Sequence, residues 1–308
     1  RGVPRIEEIL RLTKNPKNPS LTVYLNEVDE LDKDKASQYS NMLEHTKLVD
    51  VTKSVQICFD PNDKNTTMVD DKELIEQFYE FEDMVDECNI VENPDKEQTK
   101  SKWIIRIEFD TETLLDKNIT MDDIHFAITN SHGDDISCVY SDYNSDNLVF
   151  RIRLNEKIIS KNKKLRSVTD TLDQSDDIYM LRIFQDNLLN NIVLRGVNGI
   201  TNVLPRKLQN NVGKDDGKYC RKDIWIMDTT GSNLMDVLAL DFIDSSRTFG
   251  NDIKEAFNVL GIEAARQIIY NEFVEVMEFS DVYINYHHLS LLCDRMTSTE
   301  NMVSIFRS

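Results

Sequence analysis

Residues 261–266 read Gly-Ile-Glu-Ala-Ala-Arg, and two further segments follow: Tyr283-Ile284-Asn285-Tyr286-His287-His288-Leu289 and Asp294-Arg295-Met296-Thr297. This C-terminal stretch guides the interpretation of the rest of the chain. No set of residues with a catalytic arrangement accompanies it. Its apolar periodicity predicts a helix over residues 252–279, broken at Gly261, and a second helix over residues 286–297.

Composition places the chain among globular proteins. It has 308 residues, of which 40% are hydrophobic and 30% charged, and this length indicates about two domains. The net charge of −19 argues against binding nucleic acid by bulk attraction, because phosphate neutralisation needs concentrated Lys and Arg. Any DNA contact is therefore expected to be local. No apolar run approaches the ~20 residues of a membrane span, so no membrane partner is expected.

The cysteines indicate the compartment. Five of them are scattered along the chain without a C-x-x-C pair, which favours a reducing intracellular location. No cluster of His and Cys has zinc-site spacing, and no glycine-rich phosphate-binding motif occurs, so we expect neither a metal nor a cofactor here.

The middle of the chain alternates short strands with helices. An amphipathic helix over residues 73–85 is predicted to place Phe78, Phe81 and Met84 in the core. Thr120 and Asp123 have the spacing of a helix N-terminal cap. The polar residues 210–221 are predicted to form a solvated hairpin tip, and residues 156–177 a loop or insertion.

Several short motifs occur in an order similar to that of the largest subunit of eukaryotic-type multisubunit RNA polymerases. Along the chain they are Gly2-Val3-Pro4-Arg5, Pro19-Ser20-Leu21-Thr22-Val23-Tyr24-Leu25, Glu44-His45-Thr46, Trp103, Leu194-Arg195-Gly196-Val197, Trp225, Thr229, Gly231, Asn233-Leu234, Arg247, Asn251 and the 261–266 block. The chain thus resembles the region that follows the trigger loop in that family.

The resemblance implies an α+β fold. Residues 1–42 and 220–308 would form a discontinuous, mostly helical cleft module, and residues 43–219 an inserted mixed α/β jaw domain. In the family these parts line the path of downstream DNA and dock other subunits. The implied partners are the second-largest subunit, small jaw-associated subunits, and downstream and template DNA.

The resemblance also implies where the chemistry lies. The parent enzyme would be a DNA-directed RNA polymerase, a nucleotidyltransferase, whose loop of three aspartates holds Mg²⁺. That loop is not among these residues, so the chain alone is expected to be inactive and without a cofactor. A start at Arg1 rather than Met, and an ending inside a motif, favour a fragment of a longer protein.

Four residues are candidate DNA contacts by resemblance: His287, His288, Arg247 and Arg307. At the position of His287 the family usually has Arg, which replaces a fixed cation by a side chain mostly neutral at pH 7. The alternative for the two histidines is a hydrogen-bonded pair at a domain seam, and for Arg307 a terminal tail without a role.

Two further residues in this part of the chain could have a structural role instead of a binding role. Asn251 could touch DNA or a neighbouring subunit, or cap the helix that follows it. Arg266 is predicted to form a salt bridge in the helix pair around Glu263.

The source and the rival function remain hypotheses. The abundance of Asn, Asp, Ile and Lys suggests an AT-rich genome, such as that of a large cytoplasmic DNA virus or a divergent eukaryote. The expected location is then a viral factory or virion in the host cytoplasm, or else the nucleus. The alternative function is a stand-alone interaction module that binds polymerase subunits or host transcription factors.

Overall fold

The chain forms two compact units. A computed structural model describes residues 2–62, 65–88, 100–155, 175–215, 218–279 and 281–305. The terminal unit consists of residues 1–45 and 195–308, and the central unit of residues 46–194. Both units contain helices and strands, so the predicted α+β class is confirmed.

The helices follow the predicted pattern closely. In the described residues they are α1 (Val3–Arg11), α2 (Lys33–Leu43), α3 (Lys72–Cys88), α4 (Thr111–Asp116), α5 (Met121–His132), α6 (Ser175–Asn191), α7 (Leu234–Leu238), α8 (Ile253–Leu260), α9 (Ile262–Phe279) and α10 (Tyr286–Thr297). Thr120 and Asp123 form the predicted capping box at the start of α5. Gly261, with a φ of +95°, separates α8 from α9 as predicted.

The strands of the described residues form three sheets. They are β1 (Leu21–Tyr24), β2 (Thr46–Lys47), β3 (Thr52–Phe59), β4 (Lys100–Phe109), β5 (Ile136–Tyr140), β6 (Val149–Asn155), β7 (Val193–Arg195), β8 (Asn202–Asp215), β9 (Lys218–Thr230) and β10 (Phe249–Gly250). The sheet orders are β10-β1-β9-β8, β2-β7 and β3-β4-β6-β5.

The sheet of the terminal unit joins both ends of the chain. Strand β1 lies between β10 and β9 and pairs antiparallel with both, with Val23 opposite Met227. Alternation along β1 buries Leu21 and Val23, which pack with Met227 and Leu234. The N-terminal strand is therefore an internal part of a sheet whose other strands come from the C-terminal third of the chain.

A second core in the same unit is helical. Ile9 of α1 packs with Ile269 and Phe273 of α9, and with Leu289 and Met296 of α10. Each of these residues is at most 6% exposed. Helix α1, near the start of the chain, is thus held by helices near its end.

The central unit is an antiparallel sheet with α5 and α6 on one face and α3 on the other. Phe150 and Ile152 of β6 point into a core that also contains Ile124 of α5 and Leu188 of α6. Strands β2 and β7, from the two ends of the unit, pair with each other. The chain therefore enters and leaves the central unit at neighbouring points.

The division of the chain differs from the predicted boundaries. The jaw was expected over residues 43–219, whereas the central unit ends at residue 194. The expected boundary falls inside β9, and β8 pairs with β9 from Asn202 to Asp215 with one register shift. The hairpin therefore belongs to the terminal unit, while the names cleft and jaw stay predictions.

The predicted hairpin tip over residues 210–221 lies at the end of the β8–β9 hairpin, but the two strands extend further into it than expected. Strand β8 continues to Asp215 and β9 begins at Lys218, with Gly213 opposite Cys220. Polar residues are tolerated here because a two-stranded ribbon has no face that must be buried.

The predicted core face of α3 is wrong. Phe81 and Met84 are 68% and 62% exposed, whereas Ile75 is 3% exposed. Ile75 and Tyr79 line one small cavity together with Ile104 of the sheet, so α3 faces the sheet through a different side from the one predicted.

Some predictions lie outside the described residues. These are the greater part of the loop or insertion over residues 156–177 and the terminal residue Arg307.

Candidate functional site

His287 and His288 lie in the first turn of α10. The side chain of Asn285 caps this helix by accepting the His287 backbone N–H at 3.1 Å. Both imidazoles are exposed, whereas the following Leu289 is buried. The apolar side of α10, with Leu289 and Met296, faces the helical core and therefore turns the two histidines outward.

Arg247 is held by partners within the terminal unit. Its guanidinium donates to Asp244 at 2.5 Å, to Glu30 at 3.0 Å and to the Leu25 carbonyl at 3.0 Å. It also lies over the Tyr24 ring, 5.3 Å from the centroid. Burial would lower the pKa of Arg247, but the hydrogen bonds to Asp244 and Glu30 raise it above its usual value.

This environment changes what Arg247 can do. A DNA contact at Arg247 requires exchange of these bonds, whereas the side chains of His287 and His288 are open to solvent. Among the described residues no hydrogen bond or ring contact joins Arg247 to either histidine. In the described residues Arg247 is thus not joined directly to either histidine, and the role of all three in DNA contact stays a prediction.

Arg266 pairs with a residue other than the predicted one. Its Nε donates to Asp294 Oδ1 at 2.6 Å and its Nη2 to Ser290 at 3.1 Å. The hydrogen bond to Asp294 raises the pKa of Arg266. The predicted salt bridge within the helix pair is confirmed, but its acidic partner is Asp294 of α10, because α10 lies beside α9 and brings this carboxylate into reach.

Asn251 does not cap α8. The cap is Asp252, which accepts the backbone N–H groups of Lys254 and Glu255 at 3.0 and 3.3 Å. The Asn251 side chain instead accepts the Ser20 N–H at 2.8 Å and donates to the Asn18 carbonyl at 3.0 Å. It therefore ties together two segments about 230 residues apart in sequence.

A buried ionic cluster in the central unit was not predicted. Arg151 donates to Asp60 at 2.6 Å and to Asp71 at 2.9 Å. Arg106 binds Asp71 through Nε and Nη2, both at 3.0 Å, and this hydrogen bonding raises the pKa of Arg106. Arg153 donates to the Asp60 carbonyl at 2.8 Å.

The sequence carries no clear signal for this cluster. Arg151 and Arg153 alternate with Phe150, Ile152 and Leu154, as residues on a solvent-exposed face would. In fact every residue of β6 is buried. The arrangement fixes the segment after β3 to the sheet and presents no nucleophile.

The described residues do not fit a metal site. Among them, no group of three or more His, Cys, Asp or Glu side chains could hold an ion. None of the described helices is long and apolar enough to cross a membrane.

Three of the described thiols are not poised as nucleophiles. Burial raises the pKa of Cys138 to about 12 and also raises the pKa values of Cys58 and Cys293. A thiolate is the reactive form of cysteine, so these three side chains are poor candidates for covalent catalysis.

A comparison with protein families finds a match in the central part of the chain. Residues 46–195 match the family model described as RNA polymerase Rpb1, domain 7. This part of the chain is thus similar to a domain of the largest subunit of RNA polymerase. Its limits nearly coincide with those of the central unit, residues 46–194.

Proposed function

We propose, from the similarity of residues 46–195 to domain 7 of Rpb1, that this chain supplies the jaw and part of the cleft of a DNA-directed RNA polymerase. In this proposal the central unit is the jaw and the terminal unit is the cleft module. Their role is to guide downstream DNA and to dock the second-largest subunit and smaller subunits. The observation that carries the proposal is the coincidence of the family match with one compact unit.

The construction of the terminal unit supports the insertion. Strand β1 pairs with β9 and β10, and Asn251 binds Ser20 and Asn18. Two segments separated by the whole central unit thus share a sheet and a hydrogen-bond network. A jaw inserted into a cleft module requires this arrangement.

We propose that only a small part of the surface contacts DNA. The net charge of −19 disfavours general attraction of a polyanion, so a contact must come from a small surface. The first turn of α10 offers exposed imidazoles at His287 and His288. It also lies at the positive end of the helix dipole, which favours phosphate over a cation.

Catalysis is proposed to reside in other parts of the enzyme. Mg²⁺ would be held there. The present chain would position DNA and dock other subunits, and would not act on the reacting phosphate. We propose a reducing intracellular location, the host cytoplasm for a viral enzyme or the nucleus otherwise.

Site-specific photo-crosslinking in the assembled enzyme tests the DNA-guiding role. A photoreactive amino acid at His287 or His288 should crosslink to template DNA in a transcribing complex. Met235 of α7 is a matched control, because its side chain is 70% exposed and it lies in the same unit. Crosslinking that is equal at Met235 and at the histidines would contradict the proposal.

The alternative is a stand-alone module that binds polymerase subunits or host transcription factors. Affinity purification of the tagged protein from its source cells distinguishes the two functions. Recovery of polymerase subunits without RNA synthesis would favour the module.

A further inference from the structure

The β8–β9 ribbon extends beyond the sheet to which it belongs. Strand β1 pairs with β9 only from Ile226 to Asp228. The next N–H along β9, that of Trp225, donates to the Glu30 carbonyl at 2.7 Å. From residue 224 toward the tip, the only strand paired with β9 in the described part of the chain is β8.

Alternation along β9 identifies the backbone groups on its outer edge. The Trp225 N–H points away from β8, toward Glu30. Backbone groups of an antiparallel strand point to opposite sides at successive residues. Those of Tyr219, Arg221 and Asp223 therefore also point away from β8. These three residues present a row of N–H and C=O groups for a further strand.

The two edges of the ribbon differ in how well they are protected from pairing with a further strand. The outer edge of β8 contains Pro205, which has no N–H, and a register shift between Leu208 and Asn211 with Asn210 at a φ of +58°. Proline and bulges are devices that keep other strands from pairing with an edge. Residues 219–223 of β9 contain neither a proline nor a bulge. The edge of β9 over residues 219–223, here called the open edge, is thus regular, whereas the edge of β8 is interrupted at Pro205 and at the bulge.

The charge of the ribbon is opposite to that of the chain. Residues 206–224 contain six Lys or Arg and three Asp, in a chain with a net charge of −19. Arg221 lies in the middle of the open edge with an exposed side chain. Opposite charges on adjacent strands attract, so an acidic strand fits this edge better than a basic one.

We propose that residues 219–223 of β9 form a docking site for an extended acidic segment of a partner protein, which adds to the ribbon as a further antiparallel or parallel strand. Main-chain hydrogen bonds to Tyr219, Arg221 and Asp223 hold the segment, and the Arg221 side chain selects a carboxylate. The site is a property of the terminal unit alone and does not depend on the identity of the parent enzyme.

A defined probe tests this site. It is a synthetic peptide of about six residues that alternates glutamate with valine, and its counterpart alternates lysine with valine. Hydrogen exchange at single residues is measured with and without the peptide. The glutamate peptide should slow exchange of the amides of Tyr219, Arg221 and Asp223, and the lysine peptide should bind less tightly.

Matched variants distinguish an effect on pairing at the β9 edge from an effect on folding. Arg221→Pro removes an outward N–H and should weaken binding of the glutamate peptide about tenfold or more. Val212→Pro is the control, because Val212 is the register partner of Arg221 and directs its N–H to the opposite edge. Arg221→Glu keeps the N–H and reverses the charge, so it tests the site even if the proline variants fold poorly.

The outcomes decide the proposal. Slowed exchange at the three amides, with loss of affinity in both Arg221 variants and none in Val212→Pro, supports it. Unchanged exchange at about 1 mM glutamate peptide overturns it. Equal losses in Arg221→Pro and Val212→Pro, or equal affinity for the lysine peptide, also overturn it.

Discussion

Arg5 and Glu272, which are 267 positions apart, form a two-point ion pair: Arg5 Nε and Nη2 both donate to Glu272 Oε2, at 3.0 and 2.8 Å. Arg5 Nη2 also donates to the Asn251 carbonyl at 2.8 Å. The two charged side chains are only 14% and 16% exposed. This contact joins α1, the segment before α8, and α9, so it fixes the start of the chain to the helices near its end.

Removal of this contact should destabilise the terminal unit. Arg5→Ala should lower the free energy of unfolding by about 1–3 kcal/mol, because charge-assisted hydrogen bonds to a mostly buried carboxylate are lost. Urea unfolding followed by circular dichroism measures the change. Arg11→Ala is the control, since that side chain on the same helix is 53% exposed and 3.9 Å from Glu7. A loss for Arg11→Ala as large as that for Arg5→Ala would contradict this role of Arg5.

Gly231 should be intolerant of any side chain. Its φ is +95°, and a Cβ atom would lie 2.0 Å from the Gly199 carbonyl oxygen. Gly231→Ala should therefore cost about 2–5 kcal/mol, since the obstacle is backbone rather than a flexible side chain. Gly213→Ala, in the same hairpin, should cost about 1 kcal/mol or less, because its nearest neighbour is the end of the Lys222 side chain at 4.0 Å. Thermal unfolding of the two variants compares them, and equal effects would refute the explanation.

Loss of a buried arginine of the ionic cluster should destabilise the chain more than loss of an exposed arginine. Arg151→Met leaves Asp60 and Asp71, 0% and 2% exposed, without this partner, and should cost about 3–5 kcal/mol. Arg206→Met removes a surface pair with Asp228 in which the side chains are 54% and 38% exposed. Exposed pairs contribute about 0–1 kcal/mol, so this control should change stability little. Denaturant titration of each variant gives the comparison, and similar costs would contradict the assignment of the cluster as structural.

Stability should fall in acid partly through Asp244. Hydrogen bonds from Ser246 and Arg247 outweigh burial and hold the pKa of Asp244 below its ordinary value of 3.8. The ionised form is thus favoured in the folded state. Its stabilising effect is present above the ordinary pKa and is lost as the pH falls through the lower folded pKa.

The variant Asp244→Asn isolates this effect. The melting temperature of the wild-type chain should exceed that of Asp244→Asn by a constant amount at neutral pH. The difference should shrink as the pH falls below about 4. A difference that is independent of pH down to about 2 would show that the charge of Asp244 is not responsible.

Sequence reasoning succeeded where one face of an element is buried. The limits of α10 could be predicted because Leu289, Cys293 and Met296 recur at helical spacing after the cap residue Asn285. The discontinuity of the terminal unit was also foreseeable, but from the order of motifs at both ends of the chain rather than from periodicity.

Sequence reasoning failed where contacts with other elements determine the structure of a segment. The length of the β8–β9 ribbon could not be inferred, because neither face of a free ribbon shows alternation. The burial of Arg151 could not be inferred either, because it depends on Asp60 and Asp71 from other segments. Asn251 was mistaken for a cap because its neighbour Asp252 is an equally good capping residue, and only the start of α8 decides between them.

The most direct test of the proposed function is activity of the isolated assembly. The parent protein of this chain, tagged and purified gently from its source cells, should carry the second-largest polymerase subunit with it. The eluate should synthesise RNA that depends on a DNA template, on all four ribonucleotides and on Mg²⁺. Isolation of the protein alone, or of a complex without template-dependent RNA synthesis, would contradict the account.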